Sequence, residues 1–201
     1  MTQLKKHYKS VFENEPELLK ALIDIHLDGK DIDVDPMYFK GNLYKDGVNR
    51  PKYVYDINPQ VDYCKLGDAE ELENFLPEQV NSIMLDPPFL IGNRPSQKEY
   101  YSAMTHTMFP TFNSLEKCYK NILISANRCL KKNGVLFFKC QDYTDSKTIM
   151  THVLVCNWAE QLGFYAKDLA ILVKPNKVTN PNTKQRHLRK IHTYFWVFIK
   201  K

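Results

Sequence analysis

The stretch of sequence best suited to chemistry is Asp86-Pro87-Pro88-Phe89, which follows the largely apolar run Val80–Leu85. A run of this length that ends in prolines is typical of a buried strand, because proline has no backbone N–H to donate to a sheet and fixes its own φ. One carboxylate and one aromatic ring would then follow the carboxyl end of a strand. Open α/β sheets bind their ligands at that position.

This corner suits chemistry on an amino group that is conjugated to an aromatic ring. The lone pair of such a nitrogen is delocalised, so the nitrogen is a poor nucleophile until its geometry is changed. The Asp86 carboxylate and a carbonyl oxygen fixed by the prolines can accept its two N–H groups and leave the lone pair directed outward. Phe89 can stack on the ring. We therefore predict that Asp86, Pro87, Pro88 and Phe89 position an amino nitrogen for attack on the methyl group of a sulfonium donor.

Three further acids lie at or just beyond the ends of predicted strands that precede this corner. They are Asp35 in a weak strand pattern, Asp56 after a β-rich run, and Asp68. If the sheet is parallel, the carboxyl ends of these strands share one edge with Asp86. A structural explanation stays open for two of them, because Asp56 could begin a turn with Asn58 and Asp68 could cap the following helix.

Strand and helix patterns alternate along the rest of the chain. Helices are expected from Pro16 to a stop at Gly29, from a capping box at Asn113 and Glu116 to a stop at 131–134, and from Thr148 to Leu162. Strands are expected at 135–140, 166–173 and 193–199, and the last two should form an antiparallel pair. This order predicts a doubly wound α/β sheet with helices on both faces.

Length and composition limit the class of protein. The 201 residues, 43% of them hydrophobic, predict one domain, residues 1–201, with a helical segment in residues 1–30. The five cysteines have no paired spacing, which favours reduced thiols and a cytoplasmic location. No apolar run is long enough to span a bilayer, so no membrane partner is expected. The histidines are scattered, and no metal site is expected.

The positive charge is concentrated near the end of the chain. The net charge is +5, and residues 174–201 contain eight basic residues and no acid. The connection 174–192 combines cations that bind phosphate with amides that can read base edges. Together with one residue of the long loop after Phe89, it provides the predicted nucleic-acid contacts: Arg94, Lys174, Asn176, Lys177, Lys184, Arg186 and Arg189. A solvated basic edge is the structural alternative.

The motif Asp86-Pro87-Pro88-Phe89 resembles the catalytic motif of the amino-methyltransferases, the class I S-adenosylmethionine-dependent enzymes that modify adenine N6, cytosine N4 or related nitrogens. Asp56-Ile57-Asn58 resembles their strand-end acid, which binds the ribose of the cofactor. Gly67-Asp68-Ala69 resembles the loop that contacts the cofactor's adenine. Order and spacing match from residue 52 to residue 201. The pattern Asp-Pro-x-Tyr-x-x-Gly at residues 35–41, followed by Asp-Ile-Asn-Pro, is similar to small methylases of phages and mobile elements.

The resemblance implies a Rossmann-like class I methyltransferase fold, in which a mostly parallel seven-stranded sheet has an antiparallel last strand. It implies S-adenosyl-L-methionine as the cofactor and DNA as the favoured nucleic acid. Adenine N6 is the favoured target because the motif begins with Asp. In duplex DNA the base would have to leave the stack. A homodimer partner could supply sequence specificity.

The sequence departs from the family at the glycine-rich turn that usually follows the first strand. Only Gly41 stands there, so the expected cradle for the methionine part of the cofactor consists of Asp35, Pro36, Tyr38, Phe39 and Gly41. The other expected cofactor contacts are Asp56, Ile57, Asn58, Asp68 and Ala69. Two alternatives stay open: an RNA methyltransferase acting on adenine or guanine nitrogens, and a nucleic-acid-binding protein that kept the fold but lost the cofactor.

Overall fold

A computed structural model of the chain describes residues 7–92, 108–144, 147–174 and 186–201. Its helices are α1 (Glu15–His26), α2 (Phe112–Cys129) and α3 (Thr151–Gln161), with a 3-10 helix at Ala69–Asn74. Its strands are β1 (Val11–Phe12), β2 (Val34–Asp35), β3 (Tyr53–Asp56), β4 (Lys65–Leu66), β5 (Val80–Leu85), β6 (Leu90–Ile91), β7 (Met108–Phe109), β8 (Leu130–Cys140), β9 (Tyr143–Thr144), β10 (Thr148–Ile149), β11 (Phe164–Val173) and β12 (His192–Lys200).

Eight strands form one sheet in the order β1-β11-β12-β8-β5-β2-β3-β4. Neighbouring strands are parallel except at β12, which is antiparallel to both β11 and β8. The predicted fold class and the antiparallel last strand are confirmed. The sheet has one strand more than the seven expected, because Ile171 donates its N–H to the carbonyl oxygen of Ser10 (2.8 Å) and joins β1 to the edge of the sheet.

Helices cover both faces of this sheet, and the side chains of β8 alternate between them. Leu136 and Phe138 pack in the core with α2 and α3, whereas Val135 and Phe137 pack in the core with α1. The strand is almost continuously apolar because both of its faces are buried. Lys139 is two residues beyond Phe137 and faces α1 in the same way. Its charge therefore lies inside the protein beside that helix.

Helix α1 begins at the edge of the sheet that carries the predicted site. Asn14 caps it by accepting the N–H of Glu17 (3.0 Å), and the proline in its first turn needs no partner for an N–H. Leu18, Leu19 and Leu22 are buried against the sheet. The start of the helix therefore holds Glu15 close to the end of β8.

Two helix starts differ from the sequence prediction. The capping box of α2 is made by Thr111 and Ser114, each side chain accepting the other's N–H over 3.2 Å, and not by Asn113 and Glu116. Helix α2 ends at Cys129 and strand β8 follows at once, so residues 131–134 belong to that strand. Helix α3 begins three residues later than predicted, because Thr148 and Ile149 pair with Thr144 and Tyr143 as strand β10.

Candidate active site

Three of the predicted acids meet at the carboxyl edge of the sheet. Asp35 is the last residue of β2, Asp56 is the last residue of β3, and Asp86 follows β5. Strand β2 pairs in parallel with both of the others, through Val34 opposite Tyr53 and Ile83. The prediction that these strand ends share an edge is confirmed.

Two neighbouring elements hold the corner that follows β5. The ammonium group of Lys139, on the adjacent strand β8, donates to Oδ2 of Asp86 over 2.9 Å. The hydroxyl of Tyr119, on α2, donates to the carbonyl oxygen of Pro88 over 2.9 Å. Pro87 is buried, and Phe89 is partly exposed. Within the described part of the chain, Oδ1 of Asp86 and the carbonyl oxygen of Pro87 accept no hydrogen bond. Two acceptors are thus left beside an aromatic ring.

Lys139 is a functional candidate that the sequence analysis left without an assigned role. Its Nζ also lies 2.9 Å from Oε1 of Glu15, and its side chain is only 9% exposed. Burial alone would lower the pKa of this lysine, but the charges of Asp86 and Glu15 outweigh burial and raise it above its usual value. Lys139 therefore stays charged. The signal in the sequence is a single lysine inside the apolar run 135–140.

Asp35 differs from the other two acids because it is fully enclosed. Met37 donates its N–H to Oδ1 and Tyr44 donates its hydroxyl to Oδ2, both over 2.8 Å. Burial nevertheless raises the pKa of Asp35 to about 7, and the nearby charges of Asp86 and Asp56 act in the same direction. Asp35 is 1% exposed, so its carboxyl group contacts the loop that follows β2 from inside the protein.

Asp56 orders the chain on both sides of it. Its Oδ2 accepts the N–H of Phe39 over 2.7 Å, and its Oδ1 accepts the N–H of Asn58 over 2.8 Å. The turn with Asn58, which the sequence offered as the structural explanation for Asp56, is therefore present. A carboxylate has about four lone-pair sites, so acceptor capacity remains for a ligand. Ile57, directly after this acid, is 67% exposed and offers an apolar surface beside it.

The loop that replaces a glycine-rich turn is built from stacked tyrosines. The ring of Tyr38 stacks on that of Tyr44, with centroids 5.5 Å apart, and its hydroxyl lies 3.3 Å from that of Tyr63. Gly41 has φ +68° and donates its N–H to the carbonyl oxygen of Tyr38 over 2.7 Å. A Cβ at position 41 would overlap the Tyr38 hydroxyl and ring. Gly41 thus lets the loop fold back onto Tyr38.

The remaining residues of the expected cofactor side have structural roles. Asp68 caps the 3-10 helix by accepting the N–H of Glu70 over 2.9 Å, which is the alternative that the sequence left open. Ala69 is buried in the core with α2, and Pro36 is buried beside the end of β2. Phe39 has φ +51° and is partly exposed.

The structure describes three of the seven residues predicted to contact nucleic acid. Lys174 lies 3.6 Å from Oε2 of Glu15, and Arg186 and Arg189 are exposed. The other four lie outside the described residues: Arg94, Asn176, Lys177 and Lys184. Arg189 lines a groove whose opposite wall is Gln141 to Thr144, at the end of β8. The groove therefore opens on the edge that carries Asp86.

A partly buried polar cluster around Asp142 supports the wall of this groove. Oδ1 of Asp142 is hydrogen-bonded to Nδ1 of His152 over 2.7 Å, and its Oδ2 accepts the hydroxyl of Tyr194 over 3.3 Å. The rings of His152 and Tyr194 stack with centroids 4.1 Å apart. Gln141 donates its amide to the carbonyl oxygen of His192 over 2.7 Å. These contacts tie the end of β8 to α3 and β12.

A sequence model described as DNA methylase matches residues 80–201. The chain belongs to the DNA methylase family. The predicted membership of the amino-methyltransferases is thereby confirmed. The matched range contains the Asp86 corner, Lys139 and the connection 174–192, whereas Asp35, Asp56 and Asp68 precede it.

Comparison with solved structures adds information on the fold. N-methyltransferase NodS from Bradyrhizobium japonicum has 11% identity and a TM-score of 0.50, over 92% of this chain and 96% of that chain. A candidate hemolysin from Streptococcus thermophilus has 13% identity and a TM-score of 0.52, over 98% and 69%. A candidate DNA modification methylase from Thermus thermophilus has 17% identity and a TM-score of 0.46, over 67% of this chain. This chain covers about half of the Thermus protein, 52% of its length.

The first two comparisons support the class I methyltransferase fold and no more. No curated protein matches the sequence. None of the helices in the described ranges has the length and apolar character that a membrane span requires. Over the same ranges, His, Cys, Asp and Glu side chains form no group of three that could hold a metal ion. The homodimer stays a prediction.

Proposed function

We propose that the protein is an S-adenosylmethionine-dependent DNA amino-methyltransferase whose target is N6 of adenine. The observation that carries this proposal is the corner after β5, where Oδ2 of Asp86 is held by Lys139 and Oδ1 is left to accept. The family match supports DNA as the substrate. The choice of adenine rests on the acid at the first position of the motif.

In this proposal the corner holds the amino group of a flipped base. Oδ1 of Asp86 accepts one N–H, and the carbonyl oxygen of Pro87 accepts the other, because the carbonyl oxygen of Pro88 is already bonded to Tyr119. Phe89 stacks on the base. Two fixed acceptors direct the nitrogen lone pair out of the plane of the ring, and they need no reorganisation during the reaction.

S-adenosylmethionine, when bound, would supply a methyl group on sulfonium sulfur, which would leave as the neutral thioether, and the amino nitrogen that accepts the methyl group would release one proton. Asp86 stands next to that proton and can accept it or pass it to water. The ammonium group of Lys139, 2.9 Å from the other oxygen of this carboxylate, holds the side chain in place.

The residues at the ends of β2 and β3 fit an adenosine and a methionine group. Asp56 retains acceptor capacity for ribose hydroxyls, and exposed Ile57 offers an apolar surface for the adenine ring. The loop of Tyr38, Phe39 and Gly41, supported by Asp35 and Pro36, would hold the methionine part. Asn58, Asp68 and Ala69 complete the proposed contacts.

Nucleic acid would approach over the groove beside β8 and the connection 174–192. Arg186 and Arg189 supply charge for phosphates there, together with Lys174, Asn176, Lys177, Lys184 and, from the loop after the corner, Arg94. The five free cysteines favour a reducing compartment, the cytoplasm. The similarity of residues 35–41 to phage and mobile-element methylases favours that origin.

Labelled methyl transfer to duplex DNA, single-stranded DNA and RNA, followed by nucleoside analysis, tests the proposal. We expect label in N6-methyldeoxyadenosine. Label in N4-methyldeoxycytidine or only in RNA would contradict the target, and no transfer with any substrate would contradict the activity. Asp86→Ala should abolish transfer, and Asp62→Ala, at an exposed position, should not.

A further inference from the structure

Asp86 is one member of a row of alternating charges that crosses from the sheet to α1. Leu85 pairs with Phe138 in the parallel register of β5 and β8, so the next residues, Asp86 and Lys139, are neighbours on the α1 face. Nζ of Lys139 lies 2.9 Å from both Oδ2 of Asp86 and Oε1 of Glu15. Nζ of Lys174 lies 3.6 Å from Oε2 of Glu15 and is half exposed.

Three members of this row, Lys139, Glu15 and Asp86, are largely shielded from water. The side chains of Lys139, Glu15 and Asp86 are 9%, 19% and 23% exposed. Burial acts to raise the pKa of Glu15, but the charges of Lys139 and Lys174 together outweigh it and lower that pKa. Glu15 and Lys139 are therefore ionised, and Lys139 lies between two acidic side chains.

We propose that Lys139 is a positioning residue for Asp86 and that Glu15 anchors it. This inference rests on the proposed function, because it assigns Asp86 the role of holding the substrate's amino group. By occupying Oδ2, Lys139 fixes the rotation of the carboxylate and leaves Oδ1 as the acceptor for that group. Glu15 attracts the same ammonium group through an ion pair of 2.9 Å without hydrogen-bond geometry, and so restrains the lysine by charge.

A purely structural role does not account for this arrangement. A methionine would fill nearly the same volume, and replacing a buried ion pair by apolar side chains is often neutral or stabilising. The ammonium group instead gives Asp86 a partner that has three donors and one fixed position. Small errors in the placement of a reacting group are costly, since a shift of about 1 Å can lower a rate about 100-fold.

The test is Lys139→Met, alone and combined with Glu15→Gln, in the full chain. The single variant leaves Asp86 without its ion-pair partner and Glu15 with only the more distant Lys174, so it should unfold more easily. The double variant also removes the negative charge at position 15 and should recover stability. In both we expect kcat for methyl transfer to fall about 100-fold, while KM for DNA and the calorimetric affinity for S-adenosylmethionine stay as in the wild type.

The matched control is Lys200→Met. Nζ of Lys200 donates to the carbonyl oxygens of Asn127 and Leu130, at the opposite end of β8 from Asp86. The Lys200→Met substitution should lower stability and leave kcat unchanged. A folded single or double Lys139 variant with wild-type kcat would overturn the inference, as would a loss of cofactor affinity that accounts for the loss of turnover. A wild-type protein that transfers no methyl group would instead overturn the proposed function.

Discussion

The hydroxyl of Tyr119 donates a hydrogen bond to the carbonyl oxygen of Pro88 over 2.9 Å. Tyr119 is fully buried in α2, and its ring packs edge-on against Phe138 with centroids 5.2 Å apart. The helix that covers the sheet thus fixes the second proline of the corner. Lys139 fixes the acid from β8, so the corner is held by two elements that are remote in sequence.

Tyr119→Phe should lower both stability and turnover. The substitution keeps the ring and leaves the carbonyl oxygen of Pro88 without its donor, at a cost of about 1 kcal/mol in the free energy of unfolding. The corner would also gain freedom, so kcat should fall while KM for the cofactor is kept. Urea unfolding and steady-state kinetics measure the two effects. Tyr55→Phe is the control, since that hydroxyl makes only a 3.5 Å contact, with Phe75. Equal kcat in both variants would contradict the role of Tyr119.

Gly41→Ala should weaken the cofactor cradle. An alanine with φ +68° costs roughly 1 to 2 kcal/mol in backbone strain, and its Cβ would also push the Tyr38 ring off Tyr44. We expect a larger loss of stability than strain alone gives, and weaker binding of S-adenosylmethionine by calorimetry.

Gly29→Ala measures the strain by itself, because Gly29 has φ +75° and a Cβ there would contact nothing within 4 Å. It should cost about 1 to 2 kcal/mol and leave cofactor affinity unchanged. If the two alanine variants bind the cofactor equally well, the loop around Gly41 does not form the cradle.

Asp35 should make stability fall as the pH rises from about 4 to about 7. Burial raises its pKa in the folded protein to about 7, whereas the unfolded chain has a value near 3.9. The stabilisation by protonated Asp35 is complete below the unfolded pKa and is lost as the pH rises through the folded one. The slope attributable to this group is at most about 1.4 kcal/mol per pH unit.

Asp35→Asn should remove that slope, because an amide resembles the protonated acid and does not ionise. Urea unfolding of both proteins between pH 5 and pH 8 measures it. The stability of the variant relative to the wild type should increase from pH 5 to about pH 7 and change little from there to pH 8. Parallel pH profiles would show that Asp35 keeps an ordinary pKa in the folded protein.

Arg186→Glu with Arg189→Glu should weaken nucleic-acid binding uniformly across sequences. Each lost phosphate contact reduces the slope of log K against log salt by about 0.9 on duplex DNA. Binding titrations at several salt concentrations give the slope. Lys131→Glu with Lys132→Glu makes the same charge change at the amino end of β8, away from Asp86, and should leave the slope unchanged. A slope unaffected by the arginine changes would make this segment a solvated edge.

Local sequence signals were sufficient for the strand ends that form the site. Prolines after Asp86 and Asp56 mark where β5 and β3 must stop, and the alternation of strands and helices implies that parallel strands end at one edge. The extents of β5 and the antiparallel pair of β11 and β12 follow from the same patterns. The acids could therefore be grouped before their neighbours were known.

Contacts between remote segments could not be predicted in this way. Lys139 and Asp86 are 53 residues apart, and their pairing depends on β8 lying next to β5 in one register. Strand β1 has two residues and exists only because β11 offers it a free edge. The start of α2 was misplaced for a different reason: Thr111 and Asn113 are both good N-caps, and local sequence does not choose between them.

The antiparallel β12 has a further consequence. Because β11 is parallel to β8 and β5, the end of β11 at Val173 and the start of β12 at His192 both lie at the edge of Asp86. The N–H of Lys174 bonds to the carbonyl oxygen of Ile191 over 2.7 Å and closes the neck between them. Doubling the length of a flexible loop beyond such a neck costs only about 0.6 kcal/mol. Under the proposed function, insertions between residues 174 and 191 could change which DNA sites are bound without changing the residues proposed for methyl transfer.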